Sequence, residues 1–125
     1  KTGGIRYNSS LVTWEGYNGT AWTGLGGGNP WASTASNITV AANDRYFVDT
    51  SGGAKTITLP ASPAVGDQVR LIDLASTFDT NNMTVARNGK KINNATADLV
   101  VSTEDSALGL VFTGDTYGWK LLEVL

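Results

Sequence analysis

No stretch of helical length in this chain carries an apolar stripe at 3.6-residue spacing, and that constrains its fold more than any single motif. What recurs is a strand signal broken by Gly, Asn, Asp and Pro. Residues 36–41 (SNITVA) set Ile38 and Val40 between polar neighbours. Residues 45–50 (RYFVDT) run to Ser51-Gly52-Gly53, and 54–59 (AKTITL) then alternates Thr56 and Thr58 with Ile57 and Leu59, the pattern of a hairpin with one wet and one buried face. After the prolines of "PASPAVGD", residues 68–75 (QVRLIDLA) are apolar on both faces and predict a central strand. "DLVVS", "ALGLVF" and "GWKLLEV" complete the set, with a turn at Gly114-Asp115-Thr116. The expectation is an all-β chain whose main part, residues 36–125, is an antiparallel, sandwich-like domain.

Two turns carry register information. Asn88-Gly89 suits a two-residue type I′ turn, which would pair Arg87 with Lys90 and place Val85 opposite Ile92. The cluster Arg87, Lys90 and Lys91 is then a solvated hairpin tip. Upstream, "WEGYNGTAW" (14–22) crowds two tryptophans and a tyrosine around Asn18-Gly19. A two-residue turn there would set Glu15 opposite Trp22; a three-residue loop with Gly19 as bulge would set Trp14 opposite Trp22. The second is preferred, because a cross-strand aromatic pair adds roughly 0.2–1 kcal/mol over small residues.

The chain divides near residues 26–37, where "GGGNPWASTASN" has the composition of a linker or extended arm. The expected units are an N-terminal β-hairpin and oligomerisation segment (1–28), a linker arm (29–35) and the β domain (36–125). The first unit holds three strand signals, "GIRYN", "LVTWEGY" and "TAWTGL". So few short strands are marginal alone, so this unit must lean on the main domain or on other chains. Core positions expected in the main domain are Ile57, Leu59, Val69, Leu71, Val85, Ile92, Leu110 and Trp119.

Chemistry is sparsely signalled. The absence of His and Cys removes Ser-His-Asp and Cys-His catalysis and the ordinary zinc and haem sites. Nine basic against eleven acidic residues, with no large basic cluster, argue against nucleic acid as a partner. No signal peptide and no membrane-length apolar run is present, so no membrane partner is expected. Beginning on Lys1, the sequence is expected to be the trimmed or distal part of something longer. "DTNN" (79–82) and "STED" (102–105) lack the ligand pattern of a calcium loop and are expected to be turns. Most of the eight aspartates have the same explanation, and no two carboxylates are marked as a hydrolytic pair. Gly26-Gly27-Gly28 is not followed by the Lys-Ser/Thr of a phosphate loop. The Asn-x-Ser/Thr tripeptides at Asn8, Asn18, Asn37, Asn82 and Asn94 are what an Asn-, Ser- and Thr-rich chain makes by chance. No enzyme activity, metal or cofactor is expected.

"GGIRYNSSLVTWEGYNGTAWTGLGG" resembles a segment common in tail fibres and related appendages of tailed bacteriophages. "RYFVDTSGGAKTITLPASPAVGDQVRLIDLASTFDTNNMTVARNGKKI" and "GLVFTGDTYGWKLLE" are similar to a β domain of marine and cyanobacterial phage fibre proteins. The resemblance covers nearly the whole chain and brings no catalytic motif. It implies a virion protein on the particle exterior that forms an intertwined homotrimer, contacts other virion proteins and takes part in host attachment, with a host-surface glycan as a further partner. On that reading Ile5, Tyr7, Trp14, Tyr17, Trp22, Leu25 and Trp31 are interface residues. The glycine-rich arm would let the hairpin reach a neighbour. A capsid decoration or cement protein, and a carbohydrate-binding module using the aromatic hairpin as a platform, remain the alternatives.

Overall fold

In a computed structural model of the chain, the described residues are 28–122, preceded by three strands known from their backbone pairing. Those are β1 (Ile5–Asn8), β2 (Thr13–Tyr17) and β3 (Trp22–Gly24), an antiparallel sheet in the order β1-β2-β3. The three strand signals of the N-terminal unit thus each form a strand. No helix occurs among the described residues.

From Trp31 the chain winds between two sheets. β4 (Trp31–Thr34), β6 (Arg45–Val48) and β8 (Gln68–Asp73) pair in parallel in one; β5 (Ile38–Thr39), β7 (Lys55–Thr58) and β9 (Met83–Ala86) pair in parallel in the other. Each strand therefore lies beside the strand two before it, and the chain describes a short two-sided coil. β10 (Leu99–Val101) then adds antiparallel to β9, while β11 (Ala107–Phe112) and β12 (Trp119–Leu121) extend the other sheet antiparallel from β8. The final orders are β10-β9-β7-β5 and β12-β11-β8-β6-β4.

The expected antiparallel domain is corrected accordingly: both sheets are mixed, with parallel ladders where the chain winds and antiparallel ones where it finishes. The hairpin expected over 45–59 does not exist. Ser51-Gly52-Gly53 carries the chain from one sheet to the other, with Gly53 at φ 144 and its N–H donating to Thr50 O. The alternation itself holds: Ile57 and Leu59 are fully buried, while Thr56 and Thr58 lie on the opposite face.

The Asn88-Gly89 turn has positive φ at both residues (50 and 89), as a type I′ turn requires, and Lys90 N–H donates to Arg87 O. The strand expected after it does not pair with β9, whose two edges are already taken by β7 and β10. Val85 consequently faces Leu99, and Ile92 bridges to Trp119. Segment 29–35 is also more than a linker. Its residues Trp31–Thr34 are the edge strand of the five-stranded sheet, so the domain begins before residue 36.

One hydrophobic cluster draws on both sheets, and it contains all eight core positions read from the sequence. It also takes in Val40, Val48, Phe78, Met83 and Phe112. β8 is the middle strand of its sheet, as its composition predicts, and buries Val69, Leu71 and Asp73 on one face.

Candidate interaction surface

Strand parity divides the five-stranded sheet. Val69 and Leu71 are buried, so their register partners Tyr46, Ala32, Leu108 and Leu110 take the core side. The outer face falls to Trp31 and Ser33 of β4, Arg45 and Phe47 of β6, Arg70 and Ile72 of β8, and Lys120 of β12. Trp31, 36% exposed, stacks on Phe47 with ring centroids 4.9 Å apart and planes 9° from parallel. The Arg45 guanidinium lies 5.4 Å from the Trp31 ring centroid. Farther along, Leu122 and Arg70 crowd over Gly109, where a Cβ would meet Leu122 Cδ1 at 3.0 Å. This face combines aromatic area with cationic side chains, the mixture enriched in protein interfaces. The other sheet presents Thr39, Thr56, Thr58 and Thr84 to its outer side, an ordinary wet surface.

The coil has an open end where β4 and β5 begin their sheets, each paired along one edge alone among the named strands. Burial grows from this end inward: Ala32 is exposed, its register partner Tyr46 half-buried, and the next partner Leu71 fully buried. Ile38 is half-buried beside the fully buried Ile57 and Val85. The chain enters this end through a clamp. Asn29 N–H donates to Asn43 O at 2.9 Å, and its side-chain amide donates to Ala42 O and Asp44 Oδ1. Arg45 returns hydrogen bonds to Asn29 O and Gly28 O at 2.7 and 3.3 Å. A Cβ on Gly28 would stand 2.7 Å from Asn43 O, so this approach depends on glycine.

Of the nominated interface residues, Ile5, Tyr7, Trp14, Tyr17 and Trp22 lie in the three-stranded sheet, where Ile5 pairs with Gly16 and Tyr7 with Trp14. Neither register expected for the hairpin is present: Tyr17 is the partner of Trp22, and Glu15 of Gly24. Four residues, 18–21, therefore separate the paired positions, and the aromatic pair is Tyr17 with Trp22 in place of Trp14 with Trp22. Leu25 lies outside the described residues. Trp31 is placed, but on the main sheet. Its companions Arg45, Phe47, Arg70 and Ile72 were missed, although "RYF" carries the signal: an aromatic on the face opposite Tyr46 and Val48 has no core to enter.

Several of the remaining polar groups have structural duties. Lys90 pairs with Asp115 at 2.8 Å and Lys91 donates to Thr116 O, so the cations expected at a solvated tip are half-buried against the 113–118 loop. Asp44 and Asp67 cap turns by accepting from Ala41 and Ala64 N–H. Hydrogen bonds from Ser51, from its side chain first and its backbone second, hold the Asp49 carboxyl below its usual range. In the two stretches weighed as calcium loops, Asn81 donates to Thr50 O, and Asp105 accepts from the Ser76 hydroxyl. Among the described residues, no group of three or more acidic side chains is placed to hold a metal ion. No protein-family model and no curated protein matches the chain.

Proposed function

We propose that the chain is a non-enzymatic structural protein of a bacteriophage virion. It acts as a homotrimeric tail-fibre or fibre-like subunit, in which three sandwich-like β units intertwine and contribute to attachment at the host surface. The observation that carries this reading is the outer face of the five-stranded sheet. A Trp31–Phe47 stack flanked by Arg45 stands partly exposed on a rigid ladder, where a lone soluble domain would favour polar side chains like the threonines of the other sheet. The phage-fibre resemblance of the sequence supports the same reading. Nothing specific favours a capsid decoration protein or a free carbohydrate-binding module over it.

Competition provides the test. Bacteria preincubated with the purified chain should adsorb fewer particles of a phage that carries it, and a Trp31→Ala, Phe47→Ala chain should compete less. Undiminished adsorption at saturating wild-type chain would contradict the attachment role.

A further inference from the structure

We infer that the open end of the coil is the seat of the chain's own N-terminal sheet, β1–β3, which closes the core over Ala32, Ile38 and Tyr46. This inference does not depend on the virion reading. Two incomplete surfaces carry it, joined by a short tether.

The first is the coil end itself. Stacked arrays bury each unit against its neighbours, and a terminal unit needs a cover of its own. Here the first turn of the coil leaves core-facing Ala32 exposed and Ile38 and Tyr46 half-buried, beside the edges of β4 and β5 that no other named strand pairs. The second is the N-terminal sheet. Three strands of four, five and three residues are too small to stand alone in water. The segment holding them brings Ile5, Tyr7, Trp14, Tyr17 and Trp22. Both surfaces gain by removing apolar area from water.

Connectivity selects the occupant. The chain is clamped at Gly28 and Asn29 to residues 42–45, so only residues 25–27 separate the end of β3 at Gly24 from the clamp. Four residue steps span at most about 14 Å at 3.3–3.6 Å each. Packed sheets lie about 10 Å apart, so the tether can cover the end of the coil and little beyond it. A tether this short also holds the sheet at an effective concentration in the millimolar range or higher. Gly28 and Trp31–Thr34 are engaged in the clamp and in β4, which leaves the arm shorter than the sequence suggests.

The chain has no cysteine, so single labels are simple to place. A nitroxide on Ala32→Cys in the full-length chain should broaden backbone amides in residues 5–8, 13–17 or 22–24. The same label on Val100→Cys, exposed on the far edge of the other sheet, should leave them sharp. In a mixture of nitroxide-labelled, isotope-silent chains with unlabelled, isotope-enriched ones, the broadening should be weaker, because the label then reaches the sheet only from a neighbouring copy. Because a label at Ala32 could itself hinder docking, NOEs from the Ile38 methyls to protons of residues 5–24 are expected in the unmodified chain. Absent NOEs, or broadening that arises only between chains, would overturn the assignment.

Discussion

Asp73 ends β8 on the core side, 5% exposed, and its carboxylate accepts from three backbone N–H groups: Thr77 and Phe78 at 3.1 Å and Asp105 at 3.0 Å. One side chain thus fastens the loop after β8 and the loop before β11 to the same strand end. Charge-assisted hydrogen bonds of this kind are stronger than neutral ones, and leaving buried donors unmatched costs about 1–3 kcal/mol each. Asp73→Ala should therefore destabilise the chain by about 3 kcal/mol in urea unfolding, with Asp73→Asn intermediate because it keeps one acceptor oxygen. A change within about 0.5 kcal/mol, the usual range for surface substitutions, would show the loops to be held otherwise. The sequence points to turn chemistry for most aspartates, and Asp44, Asp49 and Asp67 conform. Asp73 does not, and its parity with Val69 and Leu71 was the signal that set it apart. Trp31 is the converse case: visible as an aromatic, but its stacking partner Phe47 becomes evident only when the parallel register brings β4 beside β6.

At the scale of elements, most strands were legible, β4 being read as part of a linker, and their partners were not. Alternation in 54–59 and apolar density in 68–73 reflect burial, which is the same whether the next strand returns beside its predecessor or crosses to the other sheet. A Ser-Gly-Gly turn serves either path, so the hairpin reading of 45–59 and the actual sheet crossing share one local pattern. The Asn88-Gly89 turn was legible because its φ requirement is local; the pairing beyond it was not, because β7 and β10 compete for β9. What replaces that pairing is a close backbone contact, with Trp119 N–H donating to Lys91 O and Asn93 N–H to Trp119 O. Gly118 makes it possible: at φ +77, a Cβ there would lie 2.1 Å from Lys91 O. Gly89, at φ +89, has open space around it. Gly118→Ala should accordingly lose on the order of 4 kcal/mol, and Gly89→Ala about 1 kcal/mol of backbone strain alone. Equal shifts in the denaturation midpoint would show that the contact with Lys91 contributes nothing beyond φ.

For the whole molecule, the proposed trimer and the seated N-terminal sheet make a joint demand. With a tether too short to wander, the sheet can cover the coil end with one face and offer the other to copies of itself near the same place. Aromatic residues at β1–β3 positions and the Trp31–Phe47 stack beside the entry point would then belong to one continuous contact around a three-fold axis. Burying a large side chain contributes roughly 1.5–3 kcal/mol, so several per chain are comparable with a domain's whole stability. The wild-type chain should sediment at micromolar concentration with three times the 13.1 kDa mass of one copy. Trp14→Ala combined with Trp22→Ala should move that mass towards one copy while the cooperative unfolding of the coil persists. Trp31→Ala should weaken the trimer less, since its ring is already satisfied on one side by Phe47 and Arg45. A wild-type chain that sediments as a single copy would remove the trimer and leave the seated sheet standing. A trimer indifferent to Trp14 and Trp22 would shift the contact to the outer face of the five-stranded sheet.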